Sequence, residues 1–238
     1  MTGLWEGTLQ VLLYFIVLVI VVFSIRRLFK VPTELFRKLL HFVLLGSLWV
    51  WLHAFSIWWH ALLTVLVFTI LVYPILIGAE HIKGYSKFVT ERKDGELKRS
   101  LLLVFGMFAI LLTITWGVFE DRNLALASIF AWGIGDAAAA LIGKKFGRHF
   151  LEGKHIEGRK SVEGTLSMFA FSFLSVFFIL LSRHDMPVYA CLIIAVITAI
   201  VSAFVELFST GGNDTVFCPL AAMAVLIPLL YLFGGISL

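Results

Sequence analysis

The residues with the clearest capacity for chemistry lie between Gly133 and Gly164. Asp136 stands among glycine and alanine inside an apolar segment, and a carboxylate in that setting indicates a functional site because burying its charge is costly. A loop rich in lysine and arginine follows and ends in the run 160-KSVEG-164. A carboxylate beside such a loop predicts a site for a phosphorylated ligand and its metal ion at a membrane surface.

Asp136 is the strongest single candidate. It lies about seven residues, or ~10 Å of helix, from the inner end of its segment, and small residues flank it at Gly133, Gly135 and 137–140. Small residues either let two helices pack closely, with Asp136 paired to a lysine or arginine, or leave room for a ligand. We favour the second interpretation, in which Asp136 binds Mg²⁺, since this ion takes one or two carboxylates together with phosphate oxygens.

The loop over residues 144–164 supplies positive charge. Its cations are candidates for binding phosphate, and they include Lys144, Arg148 and Lys160. Ser161, Glu163 and Gly164 stand where the next helix is predicted to begin, so their amides can face an anion. The alternative is that these charges only orient the protein or contact acidic lipids.

Three further positions belong to the predicted inner side. Glu206 ends the seventh apolar segment, and Asp214 follows a turn that Gly211 and Gly212 permit. Each acid either pairs with a basic loop residue or completes a metal site with Asp136. His41 lies one helical turn from Arg37 and Lys38, and it is either an interfacial histidine or a contact to a phosphate or an acceptor hydroxyl.

Membrane helices must position these residues. The 238-residue chain is 61% hydrophobic and 14% charged, with a mean hydropathy of +1.00, and a spanning helix needs about 20 apolar residues. We predict an all-α integral membrane protein of about eight spanning helices, with seven to nine compatible with the pattern. We expect residues 1–238 to form a single domain, with the core of the phosphorylated-ligand site at about 124–220. The segments are 9–25, 39–55, 57–78, 101–119, 124–143, 165–182, 187–207 and 216–235.

Positive charge orients this bundle. With both termini on the outer side, only Arg122 and Arg183 of the 19 Lys and Arg residues lie outside, as the positive-inside rule requires. The candidate site therefore faces the cytoplasm in a multi-pass cell membrane. The net charge of +4 reports membrane orientation and not binding to nucleic acid. Six of the seven tryptophans fall near predicted outer ends, as in an interfacial belt, and Trp132 is the exception.

Five motifs occur in order over about residues 37–220: Arg37-Lys38-x-x-His41, Gly135-Asp136-x-x-Ala139, Gly143-x-x-x-Gly147, Lys160-Ser161-x-Glu163-Gly164, and Glu206 followed by Asp214 and Pro219. In this set the chain resembles the CTP-dependent lipid-alcohol kinases, such as dolichol, phytol and farnesol kinases and CTP-dependent diacylglycerol kinase. That group is similar to the CTP:phosphatidate cytidylyltransferases. The family usually has Asp-Asn in the last motif, whereas here Asp214 precedes Thr215 and follows Asn213.

The resemblance implies Mg²⁺-dependent transfer of phosphate from CTP to the hydroxyl of a membrane lipid alcohol, with the tail in the bilayer. The implied metal-associated residues are Asp136, Asp214 and Glu206. The implied nucleotide contacts are Lys144, Arg148, Lys160 and Ser161, with Glu163, Gly164, Arg37 and Lys38 as further members. The candidate catalytic residues are Asp136, Lys160 and His41, and the base is open between Asp136 and His41.

Two other functions stay open on the sequence. A cytidylyltransferase would use similar metal and triphosphate contacts but release pyrophosphate, and that family's usual C-terminal signature is absent. A lipid transporter would need paired broken helices or repeats, which the sequence does not show. The sequence leaves open which lipid alcohol is used and whether CTP is preferred over ATP. The oligomeric state is also open, with a homodimer among the alternatives.

Overall fold

The computed structural model describes residues 3–81, 85, 95–153, 156 and 160–236. Within these ranges eight helices are long and apolar enough to cross a membrane, which confirms the predicted all-α architecture. The helices are α1 Leu4–Leu28, α2 Thr33–Ala54, α3 Trp58–Glu80, α4 Glu96–Leu111 with a π-helical continuation over Leu112–Val118, α5 Arg122–Phe146, α6 Val162–Leu181, α7 Val188–Phe208 and α8 Asp214–Leu232. The side of the membrane on which each terminus lies stays a prediction.

The chain forms two compact units, Met1–Thr113 and Ile114–Leu238. In the first unit, α1 packs against α2, and α3 packs against α4. Trp51 is fully buried there, with Phe105 at 5.7 Å and Phe15 at 5.8 Å between ring centroids. The prediction that Trp51 belongs to an interfacial belt is therefore wrong, because its indole fills the core of this unit. The single catalytic domain over residues 1–238 stays a prediction.

In the second unit, α5 is the central helix and packs most extensively against α6 and α8. It is also the most buried of the eight, with 61% of its apolar window inside the protein against 11–44% for the others. Its first turn is capped by Asp121, whose carboxylate accepts a hydrogen bond from the Leu124 amide at 3.0 Å. This cap satisfies one of the amides that a helix start leaves unpaired.

Glycines let α5 and α6 approach backbone to backbone. A Cβ added to Gly164 would lie 3.2 Å from the Ala139 carbonyl oxygen and 3.4 Å from the Gly143 Cα, and a Cβ on Gly135 would collide with Ser172. At these positions the small residues form a helix-packing seam. The interpretation that the small residues around Asp136 leave room for a ligand is thus wrong for Gly135.

A two-stranded antiparallel hairpin joins α5 to α6. Strand β1, Phe150–Leu151, pairs with β2, Lys160–Ser161, in the register Phe150 to Ser161 and Leu151 to Lys160. The Val162 amide extends the ladder by donating to the His149 carbonyl at 2.9 Å. The sequence predicted only a basic loop here. Two of its cations, Lys154 and Arg159, lie outside the described residues.

Candidate active site

An ion pair connects the hairpin to the end of α7. The Lys160 Nζ lies 3.0 Å from the Glu206 Oε1 and also donates to the main-chain carbonyl of Glu206. Their side chains are only 18% and 13% exposed, so water screens the pair poorly. The alternative that Glu206 pairs with a basic loop residue is therefore confirmed, with Lys160 as its partner.

A hydrogen bond connects α5 to the start of α8. The Trp132 Nε1 donates to the Asp214 Oδ2 at 3.2 Å, and the indole is 2% exposed. Asp214 is the first residue of α8, where the positive end of the helix dipole stabilises a carboxylate. Trp132, the tryptophan that does not fall near a predicted outer helix end, thus has a partner in the candidate site.

Asp136 completes a group of acids that we call the carboxylate cluster, namely Asp136, Glu206 and Asp214. Asp136 is half-buried and lies one helical turn after Trp132 on α5. The charges of Asp136 and Asp214 both act on Glu206, and all three acids and Lys160 act on the buried thiol of Cys218. Residues from α5, the hairpin, α7 and α8 therefore share one electrostatic environment.

The carboxylate cluster is not a preassembled metal cage. Among the residues that the structure describes, no three His, Cys, Asp or Glu side chains lie close enough to enclose one ion. The donor chemistry still suits Mg²⁺, which binds oxygen ligands through one or two carboxylates and leaves its other positions to phosphate and water. The predicted site with all three acids stays a prediction.

Ser161 and Gly164 build the start of α6. The Ser161 hydroxyl accepts a hydrogen bond from the Gly164 amide at 3.1 Å and the side chain is 3% exposed. A Cβ added to Gly147 would lie 2.8 Å from that hydroxyl oxygen. The structure therefore places both predicted nucleotide contacts in helix capping and packing, and Gly147 belongs to the same tight junction.

Glu163 fixes the preceding loop. Its Oε1 lies 2.8 Å from the His149 Nδ1, and its carboxylate also accepts from the His149 amide at 3.3 and 3.4 Å. The histidine side chain is 78% exposed. The sequence gives no signal for His149, because 14 residues separate it from Glu163 and no local periodicity links them. If Glu163 contacts a nucleotide as predicted, that contact has to replace its hydrogen bonds with His149.

The predicted phosphate-binding cations divide by exposure. Lys144, in the last turn of α5, and Arg148, just beyond it, are exposed, and they lie on the segment that joins α5 to the hairpin. Lys160 is mostly buried beside Glu206. Of these three predicted contacts, two thus face solvent near the end of α5, and one lies within reach of the carboxylate cluster.

The remaining predicted residues lie on α2 in the first unit. Arg37 is held by two carboxylates, Glu34 at 3.0 Å and Glu96 at 3.1 Å. Lys38 is 9% exposed, and His41 is half-buried. Contacts of these three residues to a nucleotide, and a catalytic role of His41, stay predictions.

A second charged cluster lies beyond the far end of α6. Arg183 is 7% exposed and donates to Asp121, to Asp185 and to the Gly235 carbonyl. Burial alone would lower the pKa of Arg183, but the hydrogen bonds to Asp185 and Asp121 raise it above its ordinary value. Its hydrogen bonds go to protein acceptors beside a surface cavity of about 620 Å³, which indicates a structural role. We call Arg183 with Asp121, Asp185 and the Gly235 carbonyl the Arg183 clasp.

Comparison with curated proteins finds a relative that covers most of the chain. A phytol kinase from Synechocystis sp. is 32% identical over 213 residues, which correspond to 84% of this chain and 82% of the relative. No family model matches the chain, and no solved structure gives a significant match. Identity at this level over most of both proteins shows common family membership, so the chain belongs to the lipid-alcohol kinase family that includes phytol kinase.

Proposed function

We propose that the protein transfers the γ-phosphate of CTP to the hydroxyl of a long-chain isoprenoid alcohol at the cytoplasmic face of the membrane, with Mg²⁺. The observation that carries this proposal is the convergence of the carboxylate cluster with Lys160 in the second unit. Phosphoryl transfer needs little covalent help from the protein and depends on positioning and charge. The phytol kinase relative supports an isoprenoid acceptor over the other lipid alcohols.

The exposed and buried cations have different parts in this reaction. Lys144 and Arg148 are exposed and attract the triphosphate from solvent. Lys160 then contacts a phosphate oxygen, since its ammonium already lies beside the carboxylate cluster. In this step Lys160 leaves its ion pair with Glu206 and pairs with the nucleotide, so that its anionic partner changes from a carboxylate to a phosphate.

Asp136 and Asp214 would hold Mg²⁺ in the nucleotide complex. The ion, when bound, neutralises charge on the phosphate oxygens. Asp136 comes from the centre of the most buried helix and Asp214 from the start of α8, so the two ligands are carried by separate rigid elements. The base that accepts the proton of the acceptor alcohol stays open between Asp136 and His41.

A product assay tests the proposal. Purified protein in detergent receives Mg²⁺, CTP labelled at the γ-phosphate, and phytol, farnesol, undecaprenol, dolichol, diacylglycerol or phosphatidate in turn, with labelled ATP in parallel. We expect label in an isoprenoid phosphate and release of CDP. Asp136→Asn should abolish transfer. Asp185→Asn is the matched control, because Asp185 lies beyond the opposite end of α6 and belongs to the Arg183 clasp.

The same assay can overturn the proposal. Label released as pyrophosphate only with phosphatidate would establish a cytidylyltransferase. Transfer from ATP but not CTP would refute the donor, and transfer only to diacylglycerol would refute the acceptor class. Absence of transfer to every lipid, from a folded protein that binds no nucleotide, would favour the transporter alternative.

A further inference from the structure

Trp132 occupies an unusual position for a tryptophan in a membrane helix. Tryptophans concentrate at the two interfaces, where the ring is apolar and the N–H is hydrated. Trp132 instead lies in the middle of α5 and is 2% exposed. A buried indole N–H costs free energy unless it has an acceptor, and here the acceptor is the Asp214 carboxylate.

Trp51 provides an internal comparison. It is likewise fully buried, but its Nε1 has no hydrogen-bond partner within the part of the chain that the structure describes. Trp51 therefore contributes ring volume alone. Trp132 contributes ring volume and a directed bond from α5 to α8, and the bond ends on an acid of the carboxylate cluster.

The bond constrains the orientation of Asp214. An indole N–H is a donor only, so it binds Asp214 through an acceptor oxygen, and the structure assigns that oxygen as Oδ2. Trp132 and Asp136 are one helical turn apart on α5 and share a face. One face of α5 thus supplies both Asp136 and the donor that orients Asp214.

We propose that Trp132 is a positioning residue that sets Asp214 relative to Asp136, and thereby sets the affinity of the site for the divalent-ion complex of the nucleotide. This inference rests on the proposed function. Groups that orient metal ligands through a hydrogen bond typically change metal affinity by about 10- to 100-fold when they are removed. Loss of the Trp132 N–H should have an effect of this size.

The experiment measures binding of Mn²⁺ by electron paramagnetic resonance, with purified protein and the β,γ-methylene analogue of CTP. Trp132→Phe keeps an aromatic ring and removes the N–H. We expect its dissociation constant for Mn²⁺ to rise about 10- to 100-fold, with kcat at saturating metal changed far less. Trp51→Phe, which loses the same ring volume without losing a hydrogen bond, should bind Mn²⁺ as the wild type does.

A double-mutant cycle separates positioning from packing. If Trp132 acts through Asp214, Trp132→Phe should have no further effect on Mn²⁺ binding in the Asp214→Asn background. An equal effect in both backgrounds would overturn the inference, as would wild-type affinity in Trp132→Phe. If Trp132→Phe does not fold, benzothienylalanine at this position keeps the bicyclic ring and lacks only the N–H, and the same comparison applies.

The result for the wild type separates failure of the positioning role of Trp132 from failure of the proposed metal site. If the wild type binds Mn²⁺ with the nucleotide and Trp132→Phe does too, the positioning role fails while the proposed function stands. If the wild type binds no Mn²⁺ with the nucleotide, the proposed metal site fails, and the role of Trp132 fails with it.

Discussion

The ammonium of Lys160 contacts two oxygens of a single residue, the Oε1 and the main-chain carbonyl of Glu206. The carbonyl belongs to the last turn of α7 and also accepts a hydrogen bond from the Ser209 amide at 3.2 Å, and the negative end of the helix dipole there favours a cation. Lys160 therefore satisfies a side chain and a helix end together. Because of this geometry, we expect that breaking the ion pair changes both the stability of the protein and its binding of a ligand.

Breaking the Lys160–Glu206 pair should destabilise the protein. Lys160→Met leaves a mostly buried carboxylate and a helix-end carbonyl without this donor, which we expect to cost about 1–3 kcal/mol. The change in the free energy of unfolding is measured in detergent, with heat or a denaturant used to unfold the protein. Combining Lys160→Met with Glu206→Leu should recover part of the loss, because removing both charges avoids an unpaired one. Strict additivity of the two changes would contradict the pairing.

The same pair should compete with the nucleotide for Lys160. Glu206→Gln removes the competing charge, so we expect CTP to bind up to about tenfold more tightly in the absence of divalent ions, a difference of about 1.4 kcal/mol. Equilibrium dialysis with labelled CTP measures this affinity. Asp185→Asn serves as the control, since it removes a carboxylate that pairs with Arg183. Unchanged or weaker CTP binding by Glu206→Gln would show that Lys160 does not move to the phosphates.

Gly164→Ala should strain the junction of α5 and α6. The added Cβ meets two backbone atoms, the Ala139 carbonyl oxygen at 3.2 Å and the Gly143 Cα at 3.4 Å, which cannot rotate away. We expect a loss of about 1–3 kcal/mol in the free energy of unfolding. Gly106→Ala is the matched control in α4, because nothing lies within 4 Å of its added Cβ, and it should be neutral or slightly stabilising. Equal effects of the two would refute the close approach.

Arg183→Met should destabilise the second unit without acting on the site directly. Both Arg183 and Asp121 are nearly fully buried, at 7% and 9% side-chain exposure, and removing one partner of such a pair typically costs about 3–5 kcal/mol. The loss should lower the unfolding temperature strongly. In protein that stays folded at low temperature, KM for CTP should not change. Asp185→Asn should have a smaller effect, since that carboxylate is 40% exposed.

The sequence predicted what depends on local composition. Long apolar runs make spanning helices, because the backbone must satisfy its own hydrogen bonds in lipid, and all eight were located. Gly211 and Gly212 were expected to form a turn, and both have positive φ, at 65° and 80°. The hairpin was missed because strands of two residues are too short to show an alternating pattern.

Pairing between residues distant in the chain could not be predicted from the sequence. Nothing local distinguishes a serine that contacts phosphate from one that caps a helix, and Ser161 occupies the position where both are common. The choice of Lys160 as the partner of Glu206, out of several loop cations, depends on the hairpin register. The bond between Trp132 and Asp214 joins residues 82 positions apart and depends on how α5 packs against α8.

The turn between α7 and α8 separates two of the three acids of the carboxylate cluster. Glu206 precedes it and Asp214 follows it, and nothing lies within 4 Å of a Cβ added to Gly211 or Gly212. The positive φ angles of these two glycines let the chain reverse between the acids, while side-chain contacts from Lys160 and Trp132 hold the acids themselves. Lengthening or shortening this one exposed turn offers a route by which related chains can retune an ion or phosphate site while keeping every helix interface intact.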